Sequence, residues 1–411
     1  MDVDVAHVSH VIIPTMSVAR TARFALVVAF LAACATAALA DYFDPDQTYS
    51  SISTPMNTDR YLGTGTAIAD GRVIFPPAFG PYVGIYDPST ETLTLDADLS
   101  ISGSAKYYYS VLMLDGRVCF IPYWRTSVAV FDPESHTLEF FEIPTNLITQ
   151  QKKYLGGATA NDGRVVMAPA HEDGVLVFDP TVDPPTLVKY DFGDAQMPTD
   201  GTLKYEGAAK AGNGKIIFAP YHSWVPIGIF DPLTNTFSTA SHGAQSAIDV
   251  VFAGAAAAYG GKVVLSPYYG DLVAVYDPDT DGVTTTPHNL TADSPHFYGA
   301  TSRAYDGKVI FSPHSRNAIG VFDVRDNSLT LHSPTGLPTG TSMFWSPTEA
   351  NATRILLVGR TNSAQKLGIF DVTPCDPWPY TLISSIGMCG KPTCECCHLQ
   401  MRDMGLMVPC V

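Results

Sequence analysis

Residues 306–323 read DGKVIFSPHSRNAIGVFD. Asp306-Gly307 ahead of an apolar run is a tight hairpin signal. The second apolar run ends at Asp323. In most copies of this pattern proline follows the aspartate, and these two residues favour the first two positions of a type I turn. With FYGATSRA (297–304) before it and SLTLH (328–332) after it, the stretch predicts four short strands, A to D.

The pattern recurs along the chain: DGRVIF at 70, DGRVCF at 115, DGRVVM at 162, NGKIIF at 213, GGKVVL at 260, DGKVIF at 306 and a degraded TRILLV at 353. Its period is about 47 residues, the spacing of a repeat architecture. Proline stands at one offset in six copies, at Pro77, Pro122, Pro169, Pro220, Pro267 and Pro313. Strands B and C are apolar almost throughout, as strands covered on both faces must be. Strand A is rich in small residues, as in GGATA at 156, GAAKA at 207 and GAAAA at 254. Strands converging on a central axis need such residues. The expected fold is all-β, a seven-bladed β-propeller of four-stranded antiparallel blades, with an open solenoid as the competing repeat architecture.

The seventh copy lacks a fourth strand, and TYSSIS (48–53) follows an Asp-Pro without a preceding blade. An N-terminal strand at 48–53 is therefore expected to complete blade 7 and leave no open edge. YTLISSI (380–386) is its competitor from the other end.

The ends of the chain have a different character. Arg20 and Arg23 precede FALVVAFLAACATAALA, and Ala38-Leu39-Ala40 forms an A-x-A site, so residues 1–40 read as a secretory signal. A secreted protein is expected, with a membrane anchor from an uncleaved signal as the alternative, and no membrane span once the signal is removed. The propeller is assigned to 41–373 and a cysteine-rich tail to 374–411. That tail holds Cys375, Cys389, Cys394, Cys396, Cys397 and Cys410, candidates for disulfides in an oxidising compartment. Its C-x-x-C-H spacing also matches haem attachment, but the segment is too short to enclose a haem. Cys119 is expected to be a small buried hydrophobe. Asn289 and Asn351 begin glycosylation sequons. A net charge of −16 repels phosphate backbones and argues against nucleic acid as a partner.

In such a fold the A–B and C–D turns share one face, and the B–C and D–A loops share the other. The latter loops vary, and variable loops on a rigid scaffold carry function. The B–C loops bring Tyr123, Trp124, Arg125, His171, Glu172, Tyr221, His222, Trp224, Tyr268, Tyr269, His314 and Arg316 to one face. The D–A segments add Lys106, Lys153, Lys204 and His296. Tyr123, Trp124, Arg125, His171, Tyr221, His222, Tyr268, His314 and Arg316 are the candidate ligand-binding residues, since rings with a few charges suit a glycan or a protein hot spot. His171, His222, His314 and Glu172 are the candidates for acid–base work. No cofactor is required, although three histidines could take part in holding a divalent ion.

The unit DG-[RK]-apolar-x-F…IG-x-FDP-x-T, repeated over roughly residues 60–372, resembles the repeats of streptogramin-lyase-like (virginiamycin B lyase-like) seven-bladed propellers. It is similar more loosely to kelch and SMP-30-type propellers. The lyase-like repeat has Trp-Phe after the DG turn, where this chain has Val, Ile or Cys before Phe, or Val before Met or Leu. The resemblance implies the propeller, and for the family's lyase a histidine base with magnesium, but that histidine maps onto no particular position here. The leading expectation is a secreted propeller binding a glycan or protein through the B–C face. The alternatives are a lyase or hydrolase with a histidine base at that face, and a structural extracellular protein crosslinked through its tail.

Overall fold

The structure is a computed structural model that describes residues 48–53 and 62–371, except for 97–98, 104, 194, 196, 199, 247, 289, 291–294, 304–305, 352 and 360–365. The signal segment, the six tail cysteines, Asn289 and residues 380–386 lie outside the described residues.

Seven antiparallel four-stranded sheets follow one another along the chain. In blade 3 the strands are Tyr154–Thr159, Val165–Pro169, Gly174–Asp179 and Thr186–Asp191, from A to D. The other blades repeat this order. Blade 7 takes its outer strand from the other end of the chain: Thr48–Ser53 pairs along Lys366–Asp371, with Thr48 opposite Asp371. The expected N-terminal closure is thus the observed one.

The cores lie between blades, which explains why strands B and C are apolar on both faces. One cluster joins Cys119, Val128 and Val130 of blade 2 to Tyr154, Val165 and Phe178 of blade 3. Another joins Leu356, Val358 and Ile369 of blade 7 to Leu62, Phe75 and Tyr86 of blade 1, so the ring closes. A fully buried ring such as Phe178 contributes about 1.5–3 kcal/mol relative to exposure. Cys119 is a free, fully buried thiol whose pKa burial pushes far up, so it packs as a hydrophobe.

The small residues of strand A have a sharper cause than crowding. Gly156, Gly207, Gly254 and Gly299 all have φ between +84° and +109°, a region open to glycine. Each sits at a β-bulge where two residues oppose one. A Cβ on Gly207 would stand 2.5 Å from the Cα of Gly254, and one on Gly254 would stand 2.5 Å from the Cα of Gly299. The inner strands touch backbone to backbone.

In four blades the basic residue of the repeat motif reaches the neighbouring blade on the face of the tight turns. Asp162 accepts the Arg164 backbone N–H at 3.2 Å and its Nε at 2.8 Å, which aims the guanidinium at the Pro232 carbonyl and Asn235 of blade 4. Arg72 reaches Pro133 of blade 2. Lys215 pairs with Asp281 of blade 5, and Arg354 with Glu91 of blade 1.

Candidate functional site at the axial mouth

Strand A starts at the B–C end of the molecule. Its first residue is bulky and buried between blades: Tyr107, Tyr154, Tyr205, Phe252, Phe297 and Phe344, with Leu62, bridged to Pro77, at the matching place in blade 1. Because side chains alternate along a strand, the next residue turns to the axis. Those seven positions are Gly63, Tyr108, Leu155, Glu206, Ala253, Tyr298 and Trp345.

Their contacts confirm that placement. The Tyr298 hydroxyl of blade 6 donates to the Glu206 carboxylate of blade 4. The Tyr108 ring of blade 2 lies 5.7 Å from that of Trp345 in blade 7. Bonds between blades that are not neighbours in a ring can be made only across its axis. Trp345 also meets Tyr298 edge-on at 5.1 Å. Farther along the axis, a cavity of about 150 Å³ is lined by Thr64, Ser110, Thr301, Ser346 and Thr348 with the inner-strand glycines.

A second ring of residues surrounds this mouth, from the first position of each B–C loop. Tyr123 packs edge-on against Tyr108 at 4.9 Å. Tyr221 lies 6.2 Å from Tyr268, and Tyr268 lies 5.0 Å from both Tyr298 and His314. Burial first, then the neighbouring Glu206 and Tyr108, pushes the Tyr123 phenol up. The main chain holds the ring in place: Lys153 N–H donates to Tyr123 O at 2.7 Å, Val251 to Tyr221 O at 2.8 Å and His296 to Tyr268 O at 2.6 Å.

The three histidines of the sequence do not occupy equivalent places. His314 stands at the first loop position and is buried, 3% exposed, with Nε2 3.4 Å from the Tyr268 hydroxyl and Nδ1 3.0 Å from Ser315 Oγ. His171 and His222 stand one position later and are half-buried. His171 Nδ1 donates to the Gly201 carbonyl, and burial lowers its pKa. His222 Nδ1 donates to the Asp249 carbonyl at 3.0 Å, and its ring stacks on Trp224. Glu172 leaves the loop in another direction. Its carboxylate accepts Thr149 and Gln150 N–H groups and the Thr149 hydroxyl at 2.7–3.1 Å, tying down the D–A segment that leads into its own blade. Among the described residues no group of three or more His, Cys, Asp or Glu is arranged to hold a metal ion.

Arg316 donates from Nε to His296 Nδ1 at 2.8 Å, and burial lowers its pKa. The buried Tyr107 hydroxyl donates to the Ser127 carbonyl at 3.2 Å, and the Arg125 charge is close enough to act on it. Trp124 and Trp224 stand out from the face at 45% and 53% exposed. The D–A lysines, expected as surface charge, are buried instead. Lys106 Nζ donates to the carbonyls of Gly80 at 2.8 Å and Gly103 at 2.6 Å, and Lys153 and Lys204 cap loop carbonyls in the same way. Burial, with Arg125 nearby, lowers Lys106 to about 8.

Glu206, Tyr298, Tyr108 and Trp345 were not singled out by sequence reasoning as one group. The signal lay in strand A: an aromatic residue at its first position in six blades fixes the next residue as axis-facing.

No family model matches the sequence, and no curated protein matches it. Solved structures do. A streptogramin B lyase superposes with a TM-score of 0.64 at 13% identity, covering 80% of this chain and 98% of that one. Virginiamycin B lyase from Staphylococcus aureus gives 0.63 at 11% identity, over 80% and 100% of the two chains. The extracellular domain of a putative hybrid two-component system from B. thetaiotaomicron gives 0.59 at 12%, over 83% of this chain and 42% of that one. This chain has the fold of the streptogramin-lyase-like seven-bladed propellers, and at these identities the likeness is one of fold. No helix among the described residues is long and apolar enough to cross a membrane.

Proposed function

We propose that this chain is a secreted binding protein that takes a glycan or protein ligand on its B–C face, around the axial mouth. The observation that carries this reading is the gathering of Tyr108, Tyr123, Tyr221 and Trp345, all partly exposed, between Trp124 and Trp224, which project into solvent. Large exposed rings around a concave centre are costly to leave in water. They suit stacking on a sugar or a protein anchor, with nearby polar groups fixing orientation. The basic-flanked apolar segment and A-x-A site near the N-terminus support secretion. An extracellular domain among the structures sharing the fold is consistent with both parts of the reading.

The test is a glycan-array and protein-capture screen of the secreted chain beside its Trp124→Ala/Trp224→Ala double variant. A ligand retained by the parent and lost by a variant of unchanged melting temperature supports the reading. Equal binding by both chains to every ligand found would refute this use of the face.

A further inference from the structure

Resting on the secretory part of that reading, we propose that Asn351 carries an N-linked oligosaccharide on the turn face of blade 7. Asn351-Ala352-Thr353 has the N-x-[ST] spacing of an acceptor, and the fold displays it. Asn351 ends strand A of blade 7 (Phe344–Asn351) and pairs with Arg354, the first residue of strand B (Arg354–Gly359). The acceptor therefore stands at the tip of the A–B hairpin, and it is exposed.

The local geometry suits the modification. Asn351 Oδ1 accepts the Thr353 N–H and the Thr353 hydroxyl, each at 3.0 Å. This is an Asx turn, in which a short side chain closes the bend on its own backbone. Asp70, Asp115, Asp162, Asn213 and Asp306 close A–B turns in the same way, through the N–H two residues on. Of these six residues, Asn351 alone combines a carboxamide with a hydroxyl residue two positions on. Both bonds from Thr353 fall on Oδ1 and orient the carboxamide, so Nδ2, the atom to be joined, is not held by them. Arg354 fixes the base of the turn, binding Asp371 of the same blade and Glu91 of blade 1. A projecting turn accepts a bulky polar substituent without disturbing the packed strands.

The donor class is a lipid-pyrophosphate-linked oligosaccharide. The bond from Asn351 Nδ2 to the anomeric carbon forms, and the bond from that carbon to the pyrophosphate oxygen breaks. One amide proton is given up, the lipid pyrophosphate leaves, and nothing is oxidised or reduced. A glycan at this turn lies on the face away from the axial mouth. It leaves the B–C loops open to a ligand and keeps this part of the turn face in solvent.

The experiment expresses the full chain in a eukaryotic secretory cell line, with Asn289→Gln so that one sequon remains. Its mass is compared before and after peptide-N-glycosidase. A single downward step is expected, with the Asn351 amide released as an acid in the peptide that contains it. Asn351→Gln and Thr353→Ala should each abolish the step, whereas Thr353→Ser should keep it. The step in the chain that retains Asn351 and Thr353 decides the matter even where one of these variants fails to fold. A digestion-sensitive chain supports the assignment whether it is found in the medium or in the cell. Asn351 found bare in chain recovered from the medium would overturn the inference and leave secretion standing. A bare chain confined to the cell would remove both.

Discussion

Tyr298 of blade 6 gives its hydroxyl hydrogen to Glu206 of blade 4, tying together two blades separated by a third. The bond sits where both groups are almost wholly removed from solvent. Tyr298→Phe deletes the donor, keeps the ring and removes one hydrogen bond from the buried carboxylate. A loss of about 1–3 kcal/mol is expected, read from urea unfolding at neutral pH. An unchanged midpoint would show that the carboxylate is satisfied without the hydroxyl.

The inner-strand glycines and the turn glycines share a backbone region but differ in surroundings. Gly254 has φ +109° and the backbone of Gly299 2.5 Å from any added Cβ, whereas Gly116 has φ +87° and nothing within 4 Å. Gly116→Ala should cost about 1 kcal/mol, the price of the left-handed conformation alone. Gly254→Ala should cost about 3 kcal/mol or more, or prevent folding, because two backbones must separate. Equal effects in thermal melts would deny the backbone contact.

Ring closure on the turn face rests on Arg354. It binds Asp371 at 2.7 Å within blade 7, and Glu91 at 2.9 Å and the Tyr86 hydroxyl at 3.3 Å in blade 1. Arg117 bonds to Asp115 and Glu139 of its own blade and is more exposed. Arg354→Ala is expected to cost about 1–2 kcal/mol, against about 0.5 kcal/mol or less for Arg117→Ala. Chemical denaturation of the two variants side by side checks the order.

Mild acid should weaken the fold through a buried histidine. His242 is buried with both ring nitrogens engaged: Nε2 donates to the Val225 carbonyl and Nδ1 accepts the Ala244 N–H, each at 3.0 Å. Burial lowers its pKa below the ordinary 6.5, and protonation would set a new N–H against that of Ala244. The unfolded chain then binds more protons at and just below pH 6.5, so stability rises with pH through that range and is lost on acidification. His171 shifts in the same direction. The melting temperature is expected to be lower at pH 5 than at pH 7.5, with a smaller difference in His242→Gln. A flat profile in the parent chain would contradict this.

Much of the architecture was legible before any coordinates. The Asp-Gly and Asp-Pro punctuation, the continuous apolar runs and the orphan strand at 48–53 are local signals, and each reports a local or next-neighbour constraint. The mouth was less legible. Tyr123, Tyr221, Tyr268 and His314 were visible as loop residues, but one residue separates the buried His314 from the half-buried His171 and His222, and alternation reverses direction over that step. Glu172 beside His171 looked like a pair in sequence, yet Glu172 turns to the Thr149 segment while His171 turns to Gly201.

While leaving residues 48–53 and 380–386 as rivals for the outer strand of the last sheet, the sequence of this protein determined how many blades there are and where each strand runs. These follow from turn chemistry and hydrophobic periodicity, which act over a few residues and repeat. Only the closed ring decided that Glu206 meets Tyr298, that Tyr108 meets Trp345 and that three lysines are buried under loop carbonyls. The repeat says which residues are equivalent, but contacts across the axis join non-equivalent copies, and their partners depend on curvature that no single repeat contains.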